Sequence, residues 1–382
     1  MSKVVNINKN KEKRVAGKCD FVLLFTTLML VFFGIIMVFS SSYHAALIKT
    51  GNILFFVKKQ MMWAIIGFVV MIATMNFDYR RYKKLALPMY AGSIILLIAV
   101  LIVGKNINNA TRWIRIGGVG IQPSEVAKIA LILMLALIIS SMKDHMKTFK
   151  SYLFALTFIG VPILLIFFEN VSTAILVAVI GITIIFAGIN SFSDFIRFTV
   201  PVGLIGILIL GGAFLTNPKF KGRLGRLDIW LNPWSDPTGG GLQTINSLYA
   251  IGSGGTFGYG LGQSKQKLGF LPEAYNDIIF SVICEELGLI GGIAVLILFL
   301  ILIWRGIFIA INLEDTFGSL VAVGIITMIA TQVIINISVV TNTIPVTGMP
   351  LPFISYGGTS LVITMFSIGV LLNISRYVKK RN

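Results

Sequence analysis

Residues 278–304 read IIFSVICEELGLIGGIAVLILFLILIW. These 27 residues carry two charges, and a helix needs about 20 predominantly apolar residues to span a bilayer. Asp277 precedes the run and Arg305 follows it, so its two ends are marked by charge. The stretch therefore predicts a membrane-spanning helix.

Similar apolar runs recur along the whole chain. Hydrophobic residues make up 56% of the 382 positions and charged residues 12%, whereas a soluble domain carries about 25% charged residues. This composition excludes a cytoplasmic enzyme, a disordered protein and a disulfide-stapled secreted module. We predict an all-α polytopic membrane protein with ten transmembrane helices, at 20–41, 53–75, 85–104, 124–141, 152–168, 171–189, 198–216, 278–304, 317–340 and 355–375.

The basic residues predict the orientation. With ten spans, 19 Lys and Arg residues fall on the side of the two termini, and six fall in the short loops of the other side. Short cytoplasmic loops are enriched in Lys and Arg, so both termini are expected to be cytoplasmic. The net charge of +17 is then explained without nucleic acid. Basic tails at 1–18 and 377–382 flank one membrane domain, 19–376, with a long extracytoplasmic loop, 217–276, between helices 7 and 8.

Ionisable residues at membrane depth are costly and are therefore candidates for function. Glu125 and Lys128 stand three residues apart on the fourth predicted span, which brings their side chains within reach of each other. A salt bridge that only permits burial and a direct role both remain open for this pair. For Glu285 and Glu286 we favour packing or contact with a partner helix.

Asp277 stands at the outer end of the eighth predicted span. Ser281, Cys284 and Gly288 follow it at helical spacing and form a small polar stripe suited to a cavity wall. Two interpretations remain open at this point. Asp277 caps the helix N-terminus, or it is a functional carboxylate at the membrane boundary.

The long loop is rich in cations and glycine. Arg and Lys supply charge-assisted hydrogen bonds to a diphosphate, and Gly lets the backbone approach it. A solvated loop near anionic lipid has the same composition. The two Cys and two His residues lie far apart, so they predict no metal cluster.

A series of ordered motifs resembles the SEDS family (shape, elongation, division and sporulation). The matching stretches are TRWI at 111–114, QPSE at 122–125 with Lys128, NPWSDP at 232–237, AIGSGG at 250–255, GLGQSKQK at 260–267, LPE at 271–273, NDIIF at 276–280 with Glu285 and Glu286, and LPFISYGG at 351–358. One departure is Asn170, which stands where the family often has an acidic residue, with Glu169 beside it.

The resemblance implies a ten-span peptidoglycan glycosyltransferase of the bacterial plasma membrane. Such an enzyme polymerises lipid II into β-1,4 glycan strands by inverting transfer and releases undecaprenyl diphosphate. The NPWSDP segment is more similar to the division and sporulation branch (FtsW, SpoVE) than to the elongation branch (RodA), which is the alternative. The expected partners are membrane lipid and a class B penicillin-binding protein, the transpeptidase.

We predict that Asp277 is the general base, the role that the family motif also implies. The predicted substrate-binding residues are Arg112, Trp113, Glu125, Lys128, Lys265 and Lys267. A divalent cation is a further candidate for stabilising the leaving group, although no dedicated ligand cluster is apparent in the sequence. A lipid-linked precursor transporter (flippase) and a non-catalytic scaffold for a partner enzyme are the functional alternatives.

Overall fold

The computed structural model of the chain describes residues 17–107, 110–116, 119–142, 148–189, 191–216 and 221–378. Helices dominate it, and short 3-10 turns stand at Tyr79–Arg81 and Pro233–Ser235. In chain order the elements are α1 (Phe21–Thr50), α2 (Phe55–Asn76), α3 (Tyr82–Val103), β1 (Lys105–Ile107), β2 (Ala110–Ile116), β3 (Val119–Ile121), α4 (Pro123–Ser141), α5 (Phe149–Phe167), α6 (Val171–Gly188), α7 (Phe192–Thr216), α8 (Lys221–Leu231), α9 (Leu242–Ser253), α10 (Ile279–Asn312), α11 (Thr316–Val340) and α12 (Gly358–Ser375).

Nine helices in the described part of the chain are long and apolar enough to cross a membrane. They are α1 to α6 and α10 to α12, and each coincides with one of the predicted spans. The remaining predicted span, 198–216, lies within α7, a helix of 25 residues. The prediction of an all-α polytopic membrane protein is therefore confirmed, and the count of ten stays a prediction.

Helices α4 and α11 form the centre of the bundle. Along the apolar window of α4, 78% of the residues are buried inside the protein, compared with 28% for α3 and α5. Helix α11 packs against α4, α6, α10 and α12. Polar side chains on these two helices therefore face protein rather than lipid, which is where polar groups at membrane depth are tolerated.

Helix α10 is broken at Gly288, where the sequence predicted one continuous span. Gly288 has φ 67° and ψ −167°, a conformation that only glycine adopts without strain. The backbone groups released by the break pair with the glycine-rich segment 254–260: Tyr259 N–H donates to the Glu285 carbonyl at 3.0 Å, and Leu289 N–H donates to the Gly255 carbonyl at 2.9 Å. A second backbone thus replaces the missing helical bonds, as burial requires.

The two ends of the described chain meet on one side of the bundle. Gly17 N–H donates to the Arg376 carbonyl at 2.8 Å. Asp20, which caps α1, forms an ion pair with Arg305 from the far end of α10. Asp277 precedes the first residue of the same helix, so the chain ends and Asp277 lie at opposite ends of the bundle.

Two connections between the spanning helices have structure of their own. The stretch between α3 and α4 contains a small antiparallel sheet in the order β1-β2-β3. The predicted long loop, 217–276, contains α8 and α9. The Trp230 indole N–H donates to the Asn342 carbonyl at 3.0 Å, which fastens α8 to the segment after α11.

Candidate active site

A polar cavity of about 650 Å³ opens at the end of the bundle where α4 and α10 begin. Its walls come from β2, α4, α6, α8, α9 and α11, and from the irregular segments that precede α10 and follow α11. The volume falls in the range of small-molecule binding sites. Carboxylate, ammonium, guanidinium and amide groups all line it, so it suits a hydrophilic headgroup rather than an acyl chain.

Asp277 lines this cavity, and its side chain is 7% exposed. The N-cap of α10 is Ile278, and no side chain caps that helix, so the capping interpretation of Asp277 does not fit the geometry. Gln243 Nε2 donates to Asp277 Oδ2 at 3.4 Å, a long contact. Burial raises the pKa of the Asp277 carboxyl to about 6. The carboxyl is thus a stronger base than an exposed aspartate and is still mostly ionised at neutral pH.

Glu125 and Lys128 form an ion pair in the wall of the same cavity. Lys128 Nζ lies 2.8 Å from Glu125 Oε1, as their spacing on the helix predicted. Lys128 is 1% exposed and Glu125 is 7% exposed. The carboxylate compensates the buried ammonium, so the pair adds a polar surface to the cavity without a net charge.

Trp113 brings an aromatic face to the cavity from strand β2. Its ring packs on Gly120 of β3, where an added Cβ would lie 3.2 Å from the ring. The neighbouring residue, Arg112, belongs to the same strand. The Arg112 side chain lies outside the described part of the structure, so its predicted role stays a prediction.

Lys265 and Lys267 are not among the described residues that line the cavity. The exposed Lys265 ammonium lies over the Tyr259 ring, 5.4 Å from its centroid. Lys267 is 6% exposed, and its Nζ lies 2.6 Å from Glu286 Oε1 and 3.0 Å from Ser40 Oγ. The structure therefore separates both lysines from Asp277 and its cavity.

Glu285 and Glu286 hold the segment that carries these lysines. Glu285 accepts hydrogen bonds from the Ser264 hydroxyl and, at 2.8 Å, from the Lys265 backbone N–H. Glu286 accepts a hydrogen bond from Ser40 Oγ at 2.6 Å. Both side chains are at most 1% exposed. These contacts agree with the packing role expected from the sequence.

Two polar cavity residues of the long loop were not among the predicted site residues. Arg226 on α8 and Gln243 on α9 both line the cavity. Both helices are short, at 11 and 12 residues, and lie in a stretch predicted as a loop, so their cavity-facing sides were not assigned. Gln332 on α11 was also missed, although a polar residue within a predicted span is a usable signal.

Asn170 also lines the cavity and caps α6. Its Oδ1 accepts a hydrogen bond from the Thr173 backbone N–H at 3.2 Å. Asn is as good an N-cap as Asp. The neutral side chain therefore meets the structural need at this position without a negative charge.

No group of three or more His, Cys, Asp or Glu side chains that could hold a metal ion occurs among the described residues. Within the cavity the acidic side chains are Glu125, Glu273 and Asp277. Glu125 forms an ion pair with Lys128. Glu273 forms one with Lys49, whose Nζ lies 3.6 Å from Glu273 Oε1. We assign no metal site to them.

Known proteins are similar to this chain over nearly its whole length. Residues 21–380 match the family model FTSW_RODA_SPOVE, which describes a cell cycle protein. Stage V sporulation protein E of Bacillus subtilis (strain 168) is 43% identical over 362 residues, covering 94% of this chain and 97% of that protein. A probable peptidoglycan glycosyltransferase FtsW of Geobacter metallireducens is 38% identical over 384 residues, covering 98% of this chain and 99% of that protein.

A solved structure shares the fold. It belongs to a peptidoglycan synthase complex, studied for the structural coordination of polymerization and crosslinking. The similarity has a TM-score of 0.76 at 24% sequence identity and covers 94% of this chain and 98% of that chain. At this identity the similarity establishes the common architecture.

Proposed function

This chain belongs to the FtsW, RodA and SpoVE family of cell cycle proteins, and we propose that it is a peptidoglycan glycosyltransferase that polymerises lipid II at the outer face of the bacterial plasma membrane. One observation carries the proposal: a buried carboxyl group, Asp277, lines a polar cavity of about 650 Å³ at one end of a membrane bundle. Lipid II carries its sugars on a polyprenyl diphosphate, so its reacting bond lies at the water–lipid boundary. A cavity at the end of the spans reaches that boundary.

The reaction needs a base and no covalent nucleophile. The donor sugar is α-linked to diphosphate and the product bond is β, so a single inverting displacement suffices. The acceptor hydroxyl oxygen bonds to the anomeric carbon, and the bond from that carbon to the phosphate oxygen breaks. Undecaprenyl diphosphate departs with the electron pair, and Asp277 takes the hydroxyl proton.

The leaving diphosphate needs a cationic partner, and Arg226 is the best candidate in the cavity. The described ion pairs do not include Arg226, whereas the Lys128 charge is compensated by Glu125. A guanidinium binds phosphate oxygens through two parallel hydrogen bonds. Trp113 offers a flat face to a saccharide, and Glu125 and Lys128 present further hydrogen-bonding groups. We retain Arg112 as a candidate, and we assign Lys267 to the scaffold instead.

Removing the Arg226 guanidinium tests this assignment. A hydrogen bond to a charged group contributes about 1.5–3 kcal/mol, so Arg226→Ala should lower kcat/KM for lipid II roughly 10- to 100-fold. Lys58→Ala is the matched control, because Lys58 is an exposed cation at the start of α2, outside the cavity lining. Equal kcat/KM values for the two variants would contradict the assignment.

The orientation of the chain follows from the same proposal. If α7 also crosses the membrane, the chain has ten spans. Both termini and their basic tails are then cytoplasmic, and the 217–276 segment with the cavity is extracytoplasmic. The contact between the chain ends, at the opposite end of α10 from Asp277, supports this arrangement.

The biological setting we propose is division or sporulation, with a class B penicillin-binding protein as partner. The relatives named SpoVE and FtsW match almost the full length of the chain. The solved relative comes from a complex that couples polymerization to crosslinking. A transpeptidase partner would supply the second of these activities.

Incubation with labelled lipid II tests the function directly. The purified protein, alone and with its candidate partner, is reconstituted in vesicles, and glycan strands are resolved by gel electrophoresis. Strand formation is the expected result. Transfer of lipid II between leaflets without strands would instead establish a transporter, and inactivity of the protein beside an active partner would establish a scaffold.

A further inference from the structure

The buried Asn336 side chain connects two backbone segments that line the cavity. It lies on α11 and is 0% exposed. Its Nδ2 donates to the Asp277 backbone carbonyl at 2.7 Å and to the Met349 backbone carbonyl at 2.8 Å. Both hydrogens of one amide are therefore used to connect two segments that have no regular structure.

The two connected segments form one wall of the cavity. Asp277 lies in the first, and Gly348 and Met349 lie in the second. A Cβ built on Gly348 would stand 3.8 Å from Asp277 Oδ2, so the second segment runs directly beside the carboxyl group. Gly348 has φ +68°, a conformation that favours glycine. The distance between the segments thus sets the space around the Asp277 carboxyl.

The hydrogen bond from another side chain to the Asp277 carboxyl is long. The contact with Gln243 is 3.4 Å long, beyond the usual 2.7–3.2 Å range of such bonds. The two bonds from Asn336 are shorter by more than half an ångström. The Asp277 carboxyl also accepts a hydrogen bond from its own backbone, so its position depends on where Asn336 holds that backbone more than on the contact with Gln243.

The carbonyl oxygen of the Asn336 side chain accepts no hydrogen bond from the described residues. This atom, Oδ1, is buried. A buried polar atom without a partner is destabilising, and an apolar side chain at this position would avoid that loss. The Asn336 amide therefore acts only as a hydrogen-bond donor, to the two backbone carbonyls of the cavity wall.

We propose that Asn336 is a positioning residue that fixes the Asp277 carboxyl against the 346–350 wall for proton transfer. This inference rests on the glycosyltransferase function proposed above and assigns the residue that sets the geometry of its base. A base displaced by about 1 Å loses up to roughly 100-fold in rate. Binding of lipid II, which involves the rest of the cavity, does not depend on that displacement.

Asn336→Leu keeps the approximate volume and removes both donors, and Asn336→Ala removes them without steric conflict. Both variants should lower kcat roughly 10- to 100-fold and leave KM for lipid II within about threefold. Asn373→Leu is the matched control. Asn373 is 3% exposed and also bridges two backbone groups, donating to the Met75 carbonyl at 2.8 Å and accepting from Tyr79 N–H at 2.9 Å, away from the cavity.

A control variant that loses as much thermal stability as the Asn336 variants but keeps kcat would support the proposal. Equal kcat losses in all three variants would overturn it, because the effect would then follow stability. Loss of the fold in both Asn336 variants, beside an intact Asn373→Leu protein, would also overturn it by making the role structural.

Hydrogen–deuterium exchange supplies a readout that does not require activity. Amides in 276–281 and 347–351 should exchange faster in the Asn336 variants, with no such change in Asn373→Leu. Unchanged exchange would overturn the anchor even if wild type polymerises lipid II. If the Asn336 variants exchange faster but the wild-type protein makes no glycan strands, the proposed function is wrong and the anchor is supported.

Discussion

Asp277→Asn is expected to reduce lipid II polymerisation by ~10²–10⁴-fold, the usual contribution of a positioned general base. The amide keeps the size of the side chain and its contact with Gln243, but it cannot accept the proton of the acceptor hydroxyl. The measurement is the rate of labelled strand formation by the purified variant. Undiminished chain growth would refute the role of Asp277 as base.

The same carboxyl should set the acidic limb of the wild-type pH profile. Activity requires the ionised form, so kcat/KM should fall as the pH decreases through about 6, where burial holds the Asp277 pKa. The folded pKa is raised above 3.8, so protonation favours the fold. Ionisation of Asp277 should therefore lower the stability of wild type as the pH rises from about 4 to about 6, and Asp277→Asn should lack this contribution.

Stability and activity should thus respond in opposite directions to this substitution. Above pH 6 the variant lacks a buried negative charge, so its melting temperature should equal or exceed that of wild type. A destabilised variant would indicate that Asp277 supports the fold, and its loss of activity would then carry no information about catalysis. Measuring both quantities on one preparation separates the two roles.

Lys267→Met should unfold or severely destabilise the protein. The Lys267 and Glu286 side chains are 4% and 0% exposed, and Lys267 Nζ lies 2.6 Å from Glu286 Oε1. Removing one member of such a pair leaves a buried charge uncompensated, which costs about 3–5 kcal/mol. Unfolding in detergent, followed by circular dichroism, measures the loss.

Two further variants distinguish scaffold from substrate binding. The double variant Lys267→Met with Glu286→Leu removes both charges and should recover most of the stability. Lys265→Met removes an exposed cation from the same segment and should change the stability little. A Lys267→Met protein that is fully stable, with a raised KM for lipid II, would instead support the substrate-binding role predicted from the sequence.

The spans could be predicted from the sequence because a helix that crosses the lipid bilayer needs about 20 predominantly apolar residues, and hydropathy detects such runs. It predicted their ends less well: α1 continues to Thr50, nine residues beyond the apolar run that ends at 41. Those residues interrupt the apolar run with polar side chains such as His44 and Lys49, and helical hydrogen bonding continues through them regardless of the membrane boundary. The helices of the 217–276 segment were not predicted, because they are only 11 and 12 residues long and lie in a stretch rich in glycine and proline.

The site was predicted in part. Asp277 could be found because a carboxylate at the end of an apolar run is conspicuous, and the Glu125–Lys128 contact follows from helix geometry. Arg226 and Lys267 are both basic residues of one loop, and composition does not distinguish them. Only the fold decides, because it turns Arg226 toward the cavity and buries Lys267 beside Glu286.

Where the 254–260 segment crosses the break in α10, three glycine positions admit no side chain. A Cβ on Gly254 would collide with the Cys284 carbonyl oxygen, one on Gly258 with the Glu286 carbonyl oxygen, and one on Gly288 with the Gly258 backbone nitrogen. A larger residue at one of these positions cannot be accommodated by shrinking another, since all three already have the smallest side chain. Substitutions at this intersection are therefore expected to be incompatible with the native structure one at a time and in every combination.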